Sequence, residues 1–198
     1  MSPEDWKHLN DRVRRVDEDR WLSSRYADAP DRNALIALYA FSHELSKIKT
    51  TVSEPILGAM RFQWWRDVLE KMREEKQTPA HDVAQAVFAT FASDKQLFDR
   101  LEHLIDKYQD AFEAKDPSKE PLEYELATAC TLLDASWTGA EDIAKGWMEG
   151  DEASITIPEP VRPATAHIRL HHRSHNKKPP GPLARRFSVM MHVLTGKF

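Results

Sequence analysis

Between Leu97 and Phe112 an apolar residue returns every three or four positions: Leu97, Leu101, Leu104, Tyr108, Phe112. That period is the turn of an α-helix, not the alternation of a strand, so the stretch can bury one side only as a helix. The same rhythm recurs in Leu35, Leu38, Tyr39, Leu45 and Ile48, and in Leu57, Met60, Trp64, Val68 and Met72. It returns once more in Leu122, Leu126, Ala129, Leu133 and Trp137. With six glycines in 198 residues and few alternating β-branched runs, the chain is predicted to be all-α.

Start and stop signals divide this rhythm into helices. Ser2, with Pro3 and Asp5, predicts a capped first helix that runs on through "RWLSSRYA". Asp31 is expected to cap a second; Ser53 with Glu54 and Pro55 starts a third, Thr78 with Pro79 opens a fourth and Ser93 a fifth. A sixth follows "DPSKEP" and a shorter one surrounds "AEDIAKGWME". The prolines of "ASITIPEPVRP" predict a linker, and "NKKPPG" must break the final pair, "ATAHIRLHHRSH" and "PLARRFSVMMHVL". The expected organisation is one helical domain over 1–198: a core bundle 1–150, a linker 151–159 and basic C-terminal helices 160–198.

Composition narrows the class further. A hydrophobic fraction of 41% and a charged fraction of 30% suit a soluble globular chain large enough to bury a core. No apolar run reaches the roughly 18 residues needed to cross a bilayer, and "MSPEDWKHLN" resembles no targeting peptide. The single cysteine, Cys130, sits on an apolar helix face and reads as a buried structural thiol, which suits a reducing cytoplasm. The net charge of −4 conceals an asymmetry. From Pro160 onward there are eight of the 28 basic residues and none of the 32 acidic ones, leaving 20 basic against 32 acidic in the rest. Two readings follow: the basic end touches an anionic lipid surface or nucleic acid, or it packs onto the acidic body. No nucleic-acid motif accompanies it.

The strings "DEDRWLSSRYA", "LYAF" and "SEPILGAMRFQWWRDVLE" are more specific. Across about residues 15–72 they resemble the squalene/phytoene synthase family of head-to-head prenyl transferases. The likeness is to its divergent, non-catalytic branch, which includes mitochondrial complex I assembly proteins and their alphaproteobacterial relatives. The resemblance implies a helical isoprenoid-synthase fold around a deep apolar cavity, shortened here in its C-terminal half. It also implies two acidic motifs that hold Mg²⁺ ions against substrate diphosphates, since Mg²⁺ takes hard oxygen ligands. Matched to this chain, the aspartates of the first motif fall on Ser46, Lys47 and Thr50, none of them a good Mg²⁺ ligand. The nearest string to the second, "TGAED" at 138–142, has Thr138 in place of the first aspartate and precedes a helix. No cofactor is therefore expected.

What remains is a degenerate pocket, expected to comprise Tyr39, His43, Glu44, Lys47, Arg61, Trp64 and Trp65. Lys47 and Lys49 could hold an anion without metal, or lie solvated at a helix end where the dipole favours cations. Adjacent tryptophans on a helix diverge by about 100°, so one of Trp64 and Trp65 should face the core and the other a rim or partner. His167, His171 and His175 stand at the i, i+4, i+8 spacing of a chelating face, with His172 beside them and no carboxylate in the segment. A surface or interface helix is the expected role there.

These readings predict a pseudoenzyme that binds a prenyl lipid or a respiratory-complex or membrane-associated protein. Its expected place is the cytoplasm, peripheral to the inner membrane, with a homo-oligomer as one possible assembly. Two alternatives stand beside it: an active prenyl transferase on isoprenoid diphosphates, and an interaction module docking on membrane or a partner subunit.

Overall fold

The computed structural model describes residues 1–115, 121–149, 156–168, 170 and 181–197, and every regular element among them is helical. Helix α1 (Pro3–Val16) opens on the predicted capping box: the Asp5 amide donates to the Ser2 hydroxyl (3.2 Å) and the Ser2 amide to the Asp5 carboxylate (2.7 Å). It does not run on to Ala27 as expected. Asp17 leaves helical geometry and accepts from the Arg20 amide (3.0 Å), which starts a second helix, α2 (Glu18–Ser24), in a new direction.

The other elements follow in order: α3 (Ala29–Thr51), α4 (Pro55–Glu74), α5 (Asp82–Phe91), α6 (Lys95–Ala114), α7 (Leu122–Leu133) and α8 (Ala140–Glu149). A 3₁₀ turn (Glu159–Val161) then leads into the short α9 (Arg162–Thr165), and α10 (Pro182–Thr195) closes the described chain. Several caps sit a few residues from their predicted places. Asp28 rather than Asp31 caps α3, His81 rather than Thr78 caps α5, and Asp94 rather than Ser93 caps α6. The helix predicted over "ATAHIRLHHRSH" begins earlier, at Arg162, and is interrupted at Ala166 and His167. Residues 176–180 of the break expected at "NKKPPG", and residues 151–155 of the linker, lie outside the described residues.

Helix α3 is the axis of the fold. Leu35 through Ser42 are buried without interruption, so no side of this segment faces water. A helix apolar all round must be surrounded, and α1, α5, α6 and α7 pack around it, with α4 laid across α6. The α4 stripe departs from prediction. Its inward face is Phe62, Trp65, Val68, Leu69 and Met72, whereas Leu57, Met60 and Trp64 are turned outward beside Ile56.

Candidate functional site

The two recesses beside α3 follow from helical geometry. Tyr39, Ser42, His43 and Ser46 share one face of the helix, while Glu44, Lys47 and Ile48 lie roughly 140° round from them. The first set lines a cavity of about 310 Å³ with Val16, Asp17, Asp19, Arg20, Tyr108, Leu122 and His167. The second lines a cleft of about 230 Å³ with Arg61, Trp64, Trp65 and His81. The seven residues expected in one pocket are therefore divided. Tyr39 and His43 belong to the cavity; Glu44, Lys47, Arg61, Trp64 and Trp65 come together in the cleft.

The break at Asp17 turns Arg20 into the cavity floor. Its guanidinium meets the buried carboxylate of Glu125 at 2.8 Å and Asp17 at 3.4 Å, and lies over the Tyr39 ring at 5.5 Å. The Tyr108 hydroxyl donates to the other Glu125 oxygen (3.1 Å). Burial pushes the Glu125 carboxyl upward, against the pull of Arg20. Burial also opposes the charge on Arg20, but Glu125 and Asp17 outweigh it and hold the guanidinium protonated. The Tyr39 hydroxyl, raised by burial, has no hydrogen-bond partner among the described residues, and burial pulls the His43 imidazole down. The cavity is thus walled mainly by polar groups, not by the deep apolar surface that the resemblance implied.

These residues do not fit a magnesium-diphosphate centre. Asp17 is engaged by the Arg20 amide and guanidinium, and Asp19 is bound by Arg185. Ser46 offers a hydroxyl and Lys47 an ammonium, while the Thr50 hydroxyl donates to the Lys47 carbonyl (3.0 Å). Among the described residues no group of three or more His, Cys, Asp or Glu could hold a metal ion. Thr138 precedes α8 and is not part of it.

The cleft is aromatic and basic. Trp65 is 3% exposed and meets Phe41 edge-on at 5.0 Å, whereas Trp64 is 41% exposed, as their 100° divergence requires. The ring of His81 lies 5.5 Å from Trp64 and 5.3 Å from Trp65, completing a triangle of rings. Arg61 donates to Thr51 (3.1 Å), and Arg12 ties Glu44 (3.4 Å) to Asp82 (3.0 Å), bracing α1, α3 and α5 at the cleft edge. His81 was absent from the expected site; its only sequence signal is its place before "DVAQAV", at a helix start. Arg20 and Glu125 were missed as well, although a charge inside "LEYELATAC" marks a buried partner to be sought. Of the histidine row, His167 is buried, and His171, His172 and His175 lie outside the described residues. Cys130 is buried and its thiol is pushed up to about 12.

The family model described as squalene/phytoene synthase matches residues 13–132, more than half of the chain. The chain belongs to the squalene/phytoene synthase family. The match takes in α2 through all but the last residue of α7, with every lining residue of the cleft and all of the cavity's except His167. Among curated relatives, the chain is similar to NADH dehydrogenase (ubiquinone) complex I, assembly factor 6. The human protein is 38% identical over 58 residues, 29% of this chain and 17% of that protein. The Bos taurus protein is 35% identical over 69 residues, 35% and 20% respectively. The Rattus norvegicus protein is 38% identical over 60 residues, 30% and 18% respectively. The matched stretches thus span a fifth or less of those relatives' own length. No solved structure matches this chain. No helix among the described residues is long and apolar enough to cross a membrane.

Proposed function

We propose that this member of the squalene/phytoene synthase family is non-catalytic and acts in the assembly or maturation of a respiratory complex. The observation that carries the reading is the internal neutralisation of the carboxylates that line the cavity, Asp17 and Asp19, and of Glu125 buried beside it. Asp17 and Glu125 face Arg20, and Asp19 faces Arg185, so none is left to gather magnesium around a diphosphate. The name of the similar mammalian proteins, complex I assembly factor, supports the rest. In this role the contact surface is the cleft with its rim. Exposed Trp64, Met60, Leu57 and Ile56 supply apolar area, and Lys47 and Arg61 supply charge suited to an acidic protein segment.

Incubation with farnesyl or geranylgeranyl diphosphate and Mg²⁺ is expected to release no pyrophosphate above a blank; robust turnover would restore the prenyl transferase reading. In cells lacking the protein, NADH:ubiquinone activity of membranes should fall, and unchanged activity would remove the assembly role. A prenyl lipid is the second reading, favoured by the apolar α4 ridge more than by the polar cavity. Mass spectrometry of organic extracts of the purified protein decides it.

A further inference from the structure

Helix α10 is docked on one side and apolar on the other. Inward, Val189 packs with Ala166, Leu170, Leu22 and Val193, and the buried His192 ring meets the Thr165 hydroxyl at 2.9 Å. Arg162 donates to the Val193 carbonyl (2.9 Å), and Arg185 is paired with Glu18 and Asp19. The helix is therefore held in a fixed rotation. Outward it presents Leu183 (81% exposed), Phe187 (58%), Met190 and Leu194 (66%). At 100° per residue these four fall within an arc of roughly 60°, a ridge about 16 Å long. Exposed Arg186 lies at one border of that arc.

We propose that this ridge is a membrane-contact surface, with α10 lying in the plane of an anionic lipid bilayer. The geometry suits an interfacial helix, whose apolar side chains enter about 5–10 Å while flanking cations stay at the headgroups. A convex ridge of leucine, phenylalanine and methionine finds its solvent in acyl chains. Charge selects the occupant. The chain from Pro160 onward carries eight basic and no acidic residues, against 20 basic and 32 acidic in the rest. An anionic surface attracts this end and repels the body, so it orients the molecule with α10 downward. The acids nearest the helix, Glu18 and Asp19, are neutralised by Arg185.

The test is co-sedimentation of the full chain with vesicles of phosphatidylcholine alone or of phosphatidylcholine with phosphatidylglycerol. The chain should pellet with the anionic vesicles only, less so as salt rises. The Phe187→Ser, Leu194→Ser double variant should bind at least about tenfold more weakly, with its helical circular dichroism unchanged because both positions are exposed. Arg186→Glu, which leaves the ridge intact, should weaken binding to anionic vesicles by on the order of tenfold. Absence of binding, or equal binding by the double variant, overturns the proposal. So does a wild-type dimer that the double variant converts to monomer in sedimentation velocity, since the ridge would then be a self-association face.

Discussion

Arg20 and Glu125 meet at 2.8 Å where the carboxylate is almost wholly shielded from water. Such a pair adds little net stability, because desolvation of both charges offsets most of their attraction. Losing one partner is different, since it strands the other charge. Arg20→Met is expected to lower unfolding stability by about 3–5 kcal/mol, and Arg20→Met with Glu125→Leu to recover most of that loss. Urea denaturation of both variants measures it; a double variant as unstable as the single one would mean that the two residues do not act as a unit. His43, half-buried at the same cavity, gives the pH counterpart. Burial holds its folded-state value below the ordinary 6.5, so the native state binds fewer protons than the unfolded chain. Stability from this group is present above 6.5 and is lost as pH falls through the lowered value. Replacing it by glutamine should therefore shrink the drop in melting temperature on acidification from about pH 7.5 to about pH 5.5. An identical drop in wild type and variant would remove His43 from that account.

At the scale of elements, α4 shows how helices take their places. A methyl group on Gly58 would lie 2.3 Å from the ring of Phe112, so this glycine sets how closely α4 approaches α6. Alanine favours a helix by about 1 kcal/mol over glycine, but the overpacking it introduces costs about 1–3 kcal/mol. Gly58→Ala should thus lower the melting temperature and disturb the Phe62–Phe112 contact, now 5.8 Å between centroids. A higher melting temperature would show that the ring swings aside freely. The same helix marks what the sequence could and could not reveal. Its existence was legible from apolar spacing, but it carries two apolar faces. Spacing cannot tell Phe62, Trp65 and Leu69 inside from Leu57, Met60 and Trp64 outside. Neighbouring Asp and Ser residues compete as caps, which moved the starts of α3 and α6. The α1–α2 break was hidden because apolar residues continue across it, and the break is what carries Arg20 into the cavity. Lys47, Arg61, Trp64 and Trp65 could be grouped because α3 and α4 are sequential neighbours that pack. His81 reaches the same cleft only through the tertiary placement of α5.

For the whole molecule, the charge asymmetry and the architecture explain one another. The basic C-terminal end faces the acidic α2, where Arg185 bonds both Glu18 and Asp19. The Ser23 hydroxyl donates to the Pro163 carbonyl (2.6 Å), and Arg162 links the Ile157 carbonyl to the end of α10. Packing onto the acidic body and reaching toward an anionic surface were alternative readings of the basic end; the inner face of α10 makes the first contact, and the proposed membrane contact uses the opposite face. The inner contact is small, with Val189 its main buried apolar side chain, while the middle of α3, Leu35 through Ser42, is enclosed on every side. The two should open independently, because local opening follows local burial. Partly exposed ion pairs of this kind contribute on the order of 1 kcal/mol and weaken with salt. Arg185→Glu replaces attraction by repulsion, so amide exchange in α10 should accelerate severalfold while exchange in the middle of α3 stays unchanged. High salt should move the wild type part of the way in the same direction. Equal acceleration in α3 would instead make α10 part of the cooperative core. The outward ridge would then be held by the stability of the whole fold, and not by the contact with α2 alone.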